Sequence, residues 1–89
     1  MRLSVFDPNF REDLTHWVTN DHRIALKVLS LVEAIMRGPF KGEGKPEPLK
    51  GMGPGLWSRR ITDEHRLVYQ VKAESIYFVQ ARFHYSKRS

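Results

Sequence analysis

Leu3, Val5 and Phe6, with Ser4 between them, form a short apolar stretch that predicts a strand. Asp7-Pro8 closes it, with Asp7 suited to cap a helix and Pro8 to its first turn. Phe10, Leu14 and Trp17 then recur at helical spacing, and Asn20-Asp21 supplies a break and a second cap. Beyond it Ile24, Val28, Leu31, Val32, Ile35 and Met36 lay out an apolar stripe with a period near 3.6, so a two-helix hairpin is expected, ending at Gly38-Pro39.

From Pro39 to Gly55 the chain holds four of its five prolines and, with Gly38, all six glycines, which predicts a long loop rather than a regular element. Loops longer than about 12 to 15 residues are usually functional or disordered. After it, Leu56 to Ile61, His65 to Val71 and Ser75 to Phe83 read as strands with short connections, hence an antiparallel meander. The expected fold class is α+β: a short N-terminal strand, a helical hairpin, then a three-stranded sheet backed by the helices, all in one domain over residues 1–89 with 86–89 as a short tail.

Alternation assigns faces. Trp57 and Ile61, Leu67, Tyr69 and Val71, and Tyr77, Val79, Ala81 and Phe83 are expected against the helices. Ser58, Arg60, Arg66, Gln70, Gln80, Arg82 and His84 then share the open face. Arg59 falls with Trp57 on the core side, where its head group is expected to reach out to water. Val68, Ile76 and Phe78 fall on the polar face, so something, the long loop or another subunit, should cover the start of the last strand.

The 89 residues are 40% hydrophobic and 28% charged, enough for a single core. A formal charge of +5 favours an anionic partner, and nucleic acid outranks a membrane because no basic amphipathic helix stands out. With no cysteine, neither a disulfide nor a thiolate metal site can form. The four histidines lack HExxH spacing, Gly42-Glu43-Gly44-Lys45 lacks the context of a phosphate loop, and Ser58 has no glycine elbow. No metal or other cofactor is expected. The start reaches Asp7 too soon for a signal-peptide core, and no apolar run of about 20 residues is present, so a cytoplasmic protein is expected.

The C-terminal half carries the equipment for metal-free RNA cleavage: something to take the 2′-hydroxyl proton, cations to stabilise a phosphorane-like transition state, and a proton for the leaving 5′-oxygen. Glu47, between Pro46 and Pro48, is a candidate base; a solvated loop carboxylate near Lys45 and Lys50 is the plainer alternative. Arg60 and Arg66 suit phosphate clamping, or else pair with Asp63 or Glu64 across a solvated face. His84 offers an imidazole as a candidate proton donor, and Tyr85 suits either base stacking or the core.

Lys45-Pro46-Glu47-Pro48-Leu49, Trp57-Ser58-Arg59-Arg60-Ile61-Thr62, Glu64-His65-Arg66-Leu67-Val68-Tyr69 and His84-Tyr85 together strongly resemble the YoeB/Txe toxins of the RelE-like superfamily. The likeness runs along nearly the whole chain and is strongest from Pro39 to Tyr69; members commonly stop at or just after the His-Tyr pair, whereas Ser86 to Ser89 follow here. The resemblance implies a ribosome-dependent mRNA endonuclease held inactive by an acidic YefM-like antitoxin, often as a homodimer, touching operator DNA only through the antitoxin. It implies Glu47 as general base, Arg60 and Arg66 as phosphate and transition-state stabilisers, His84 as general acid and Tyr85 as a substrate-orienting residue. Lys50, Arg59 and Arg82 are the further candidate RNA contacts. Two other readings stay open at the level of sequence: a ribosome-binding inhibitor without chemistry, and a regulatory subunit working mainly through an antitoxin on operator DNA.

Overall fold

A computed structural model describes residues 1–85. The elements are β1 (Leu3–Phe6), α1 (Pro8–Asn20), α2 (His22–Arg37), β2 (Glu47–Pro48), β3 (Leu56–Arg60), β4 (Arg66–Val71) and β5 (Ser75–Gln80). Both expected caps form: the Asp7 carboxylate accepts from Asn9 N at 2.8 Å and that of Asp21 from Arg23 N at 3.1 Å. Asp21 alone separates the helices, which fixes the tight hairpin. The α2 stripe is buried at Val28, Leu31, Val32 and Ile35, as its spacing predicts.

The sheet has five strands in the order β1-β5-β4-β3-β2, two more than the expected meander. One addition is β1, which pairs parallel with β5 at one edge; the other is β2, a two-residue strand inside the long loop, antiparallel to β3. A parallel partner needs a crossover, and the helical hairpin between β1 and the meander provides it.

The face assignment holds for β3 and β4, although Ser58 and Val68, paired on the open face, are themselves buried there, but breaks in β5. Val68 pairs with Gln80 whereas Tyr69 pairs with Phe78, so one step along β4 spans two along β5 and Val79 is the extra residue. This bulge reverses parity: Ile76 and Phe78, not Tyr77 and Val79, enter the core, while Ala81 beyond the bulge is buried as expected. No second subunit is needed to cover them. Phe78 lies under α1, its ring 5.6 Å from Phe10 and 5.0 Å from Phe6. Each such fully buried side chain contributes about 1.5 to 3 kcal/mol.

Arg59 corrects a second expectation. It does not extend to water; it is fully buried. Its Nη1 donates to Glu43 O (2.9 Å), its Nη2 to Gly38 O (2.6 Å) and Lys41 O (3.2 Å), and its Nε to the Tyr69 hydroxyl (3.2 Å), which itself donates to Pro39 O (2.6 Å). One guanidinium thus folds the segment after α2 back onto the sheet. Burial pushes the Tyr69 phenol above its ordinary value, so it stays a donor.

The rest of the loop is a hairpin. Leu49 N donates to Leu56 O at 2.8 Å, and Val71 N to Gly55 O at 2.9 Å. Gly55 has φ +71, and a Cβ there would lie 2.7 Å from Val71 O, a backbone atom that cannot move aside. Gly55→Ala is therefore expected to destabilise the domain by about 1 to 3 kcal/mol, read as a lowered midpoint in thermal unfolding. An unchanged midpoint would mean that β3 and β4 tolerate separation at this point.

Candidate active site

The two-residue strand β2 turns Glu47 from a loop carboxylate into a sheet residue. Glu47 lies opposite Ser58, so both project from the open face, and the diagonal neighbour along β3 is Arg60. The contact is extended by Arg60 N, which donates to Gly44 O at 2.7 Å. Lys45 takes φ +51 between Gly44 and Pro46, turning the chain into the strand. Pro46 and Pro48 restrict the backbone on both sides of Glu47. Its side chain is exposed.

Arg60 is directly opposite Arg66 across β3 and β4. Like charges at facing positions repel by a few tenths of a kcal/mol or more, so an anion is needed to make the arrangement favourable. The expected alternative, pairing with Asp63 or Glu64, does not occur. Among the described residues the one ion pair is Lys27 with Glu43, which involves neither arginine. Arg66 instead donates through Nη1 to the carbonyl oxygens of Thr62 (2.6 Å), Asp63 (3.1 Å) and His65 (3.1 Å). Those bonds aim the group while leaving Nε and Nη2 for two oxygens of a phosphate. Arg59 and Arg60, adjacent in sequence, thus have opposite fates: one is consumed by the fold and the other is exposed.

His84 reaches the same end of the sheet by a different route. Beyond β5 the main chain turns back beside β4, where Arg66 N donates to Phe83 O at 3.1 Å. His84 follows, exposed, with Nε2 at 3.3 Å from Asp63 O. Tyr85 is half-buried at the end of the described segment. Lys50 is exposed in the β2–β3 turn. Glu47 on β2, Arg60 on β3, Arg66 on β4 and His84 on the segment beside β4 therefore follow one another on neighbouring segments: a carboxylate on one flank, two guanidiniums in the middle and an imidazole on the other.

Two candidate RNA contacts do not join them. Arg59 is buried, and every guanidinium nitrogen has a partner. Arg82 leaves the open face because the backbone is no longer a strand after Gln80. Its guanidinium packs 6.0 Å from the Trp17 ring and 4.6 Å from the Phe83 ring, on the α1 side, with Nε buried and without a hydrogen-bond partner.

The supports of the His84 segment were invisible in the periodicity. Trp17 Nε1 donates to Ala81 O at 2.8 Å and the Asp13 carboxylate accepts from Ala81 N at 2.9 Å. A buried indole N–H needs an acceptor, which is the one sequence signal that Trp17 does more than fill the core. Burial raises the Asp13 carboxyl above its ordinary value, partly offset by the bond from Ala81 N. His65, bypassed as a metal ligand, accepts from Phe83 N through Nδ1 at 2.8 Å. No group of three His, Cys, Asp or Glu side chains among the described residues is placed to hold a metal ion, and no helix there is long and apolar enough to cross a membrane.

Known proteins resemble this chain along nearly its whole length. The toxin YoeB of Streptomyces coelicolor is 51% identical over 85 residues, which is 96% of this chain and all of that protein. A YoeB dimer from Staphylococcus aureus superposes with a TM-score of 0.85 at 38% identity, covering 94% of this chain and 98% of that one. The toxin in a heterotetrameric YoeB-YefM complex from the same organism gives a TM-score of 0.82 at 39% identity, over 96% and 100% of the two chains. Residues 6–85, which include every strand after β1 and the whole of the Glu47, Arg60, Arg66 and His84 face, match the family itself, and the chain belongs to the YoeB-like toxins of bacterial type II toxin-antitoxin systems.

Proposed function

We propose that this toxin is a ribosome-dependent mRNA endonuclease that cleaves without a metal through the 2′-hydroxyl. The observation that carries the proposal is the facing Arg60–Arg66 pair with Glu47 on one flank and His84 on the other. Glu47 takes the proton of the 2′-hydroxyl as its oxygen attacks phosphorus. Arg60 and Arg66 hold the extra negative charge of the phosphorane-like transition state. His84 gives a proton to the departing 5′-oxygen, and Tyr85 orients the nucleotide. The P–O5′ bond breaks, leaving a 2′,3′-cyclic phosphate, later a 3′-phosphate, and a 5′-hydroxyl end. Lys50, exposed in the β2–β3 turn, is a further proposed contact to the message.

Glu47, Arg60 and His84 are exposed, which suits a substrate presented by a larger body. The ribosome fills that role in the proposal. A YefM-like antitoxin is the proposed inhibitor: the relative from Staphylococcus aureus is seen with YefM, and an acidic segment would be drawn to the unpaired arginines here. A homodimer is the proposed free form, as in the YoeB dimer of the same organism, and the cytoplasm the proposed location.

The test is a message with a single 2′-deoxy nucleotide at the cut position. Primer extension on the unmodified message should reveal new 5′-hydroxyl ends, and the deoxy substitution should abolish them. Equal cutting of both messages would overturn the mechanism. Ribosome binding without any new ends would favour inhibition by occupancy instead.

A further inference from the structure

The His84 segment has an irregular backbone, and its last fixed point is Phe83. This residue takes φ +61, the left-handed region that non-glycine residues seldom adopt. Both of its main-chain polar groups are engaged by two consecutive residues: Phe83 N donates to His65 Nδ1 at 2.8 Å, and Phe83 O accepts from Arg66 N at 3.1 Å. Gln80 Nε2 adds a bond to Arg82 O at 2.8 Å. The His65 ring is itself wedged, 4.8 Å from Trp17 edge-on and 5.5 Å from Phe83. Beyond Phe83 the one described hydrogen bond is the 3.3 Å contact from His84 to Asp63 O.

We propose that His65, neutral with its proton on Nε2, is a positioning residue that holds Phe83 in its left-handed turn and thereby sets His84 beside Arg66. The proposal rests on His84 being the general acid. The chemistry is that of an acceptor: a neutral imidazole offers a lone pair at Nδ1, and an imidazolium offers none. Protonation would set an N–H against the Phe83 N–H and release the turn.

The surroundings favour the neutral ring. Burial lowers its pKa from 6.5, and Arg82 after β5, His16 of α1 and His84 act in the same direction, while Glu64 in its own turn opposes them. The other ionisable groups near this junction are Asp13 of α1, which is engaged by Ala81 N and lies close to Arg82; Arg66, whose guanidinium donates to His65 O; and Asp63 in the same turn as Glu64. Because the folded pKa is depressed, the unfolded chain binds the proton more readily. The stabilising bond is thus fully present above pH 6.5 and fails as pH falls below it. Displacing a reacting group by about 1 Å from its productive position lowers a rate on the order of a hundredfold.

Two variants separate positioning from packing. His65→Asn places a carbonyl acceptor near Nδ1 and cannot be protonated, whereas His65→Phe keeps an aromatic ring and removes the acceptor. In the wild type, protection of the Phe83 amide, taken relative to the exchange rate of an unstructured chain at the same pH, should be strong at about pH 7.5 and should be lost when the pH falls to about 5. His65→Asn should keep strong protection at both values and keep kcat within about threefold. His65→Phe should lose the protection at both, with kcat down about 10- to 100-fold and KM for programmed ribosomes unchanged. Wild-type protection and kcat in His65→Phe, or His65→Asn as impaired as His65→Phe, would overturn the proposal. If His65→Phe does not fold, His65→Asn and the pH dependence of the wild-type amide still decide it. The exchange measurements need no RNA, so a wild type that cuts nothing would sink the nuclease assignment while leaving the positioning role to be judged by the amide.

Discussion

Glu47→Gln is expected to lower the single-turnover cleavage rate on programmed ribosomes by about 10²- to 10⁴-fold, the usual contribution of a positioned proton acceptor. The same variant should fold as well as the wild type. Its side chain is exposed and takes part in no hydrogen bond or ion pair among the described residues, so the change in stability should stay within about 0.5 kcal/mol. This combination makes Glu47 a cleaner probe than either arginine. Removing Arg66 would also strip the Thr62, Asp63 and His65 carbonyls of a donor, mixing a catalytic loss with a local structural one. Removing Arg60 would relieve like-charge repulsion against Arg66, so stability and rate would move in opposite directions.

The geometry also fixes what the double variant should do. Glu47 and His84 lie on opposite flanks of the arginine pair and, in the proposed mechanism, would serve opposite ends of one displacement, so each would depend on the other for the full effect. Glu47→Gln combined with His84→Gln is expected to fall little below the worse single variant, because groups that act as a unit are not additive. The residual rate would be that supplied by Arg60, Arg66 and the positioning of the message. Cleavage at the wild-type rate in Glu47→Gln would remove the carboxylate from the mechanism. Strictly multiplicative losses would argue that the two groups serve separate steps.

What could be read from the sequence depended on whether a feature was periodic. The helices, their caps and the shared face of Arg60 and Arg66 follow from spacing, because regular elements map sequence offset directly onto direction. The bulge at Val79 is not periodic. A single inserted residue leaves no mark in composition, yet it reverses every face assignment before it in β5, and Ile76 and Phe78 were misplaced for that reason alone. β2 was hidden for a related reason: two residues between prolines cannot display an alternation, and the pairing that makes them a strand is made by β3. Glu47 therefore looked like a loop residue while in fact standing on the sheet. Arg82 was misassigned because alternation was continued past Gln80, where the strand ends. Arg59 was assigned to the correct face but to the wrong environment, since parity says which way a side chain points and nothing about the carbonyls that await it.

Those carbonyls make Arg59 the residue on which the fold should be most sensitive: Arg59→Leu is expected to destabilise the domain by about 3 to 5 kcal/mol. Replacing a buried charge by an apolar side chain is often neutral when its partner is replaced too, but here the partners are main-chain oxygens that no substitution can remove. Gly38, Lys41 and Glu43 would each lose a donor, and Tyr69 would lose the N–H that its hydroxyl accepts. A buried acceptor left unpaired costs about 1 to 3 kcal/mol, so the loop after α2 would rather open to water than stay closed. In a domain of this size the midpoint of thermal unfolding should fall by roughly 15 to 30 °C. Arg59→Lys should recover only part of it, because an ammonium has three donors on one atom and cannot span acceptors at four separate positions. Tyr69→Phe should be coupled to Arg59→Leu by about 0.5 to 3 kcal/mol, since one hydroxyl links the guanidinium to Pro39 O. Activity should fall below the unfolding temperature as well. The segment that Arg59 holds leads through Gly44, whose carbonyl binds Arg60 N, directly into the strand that carries Glu47. An unchanged midpoint in Arg59→Leu would show that this arginine only fills space, and that the position of Glu47 is set by the β2–β3 pairing alone.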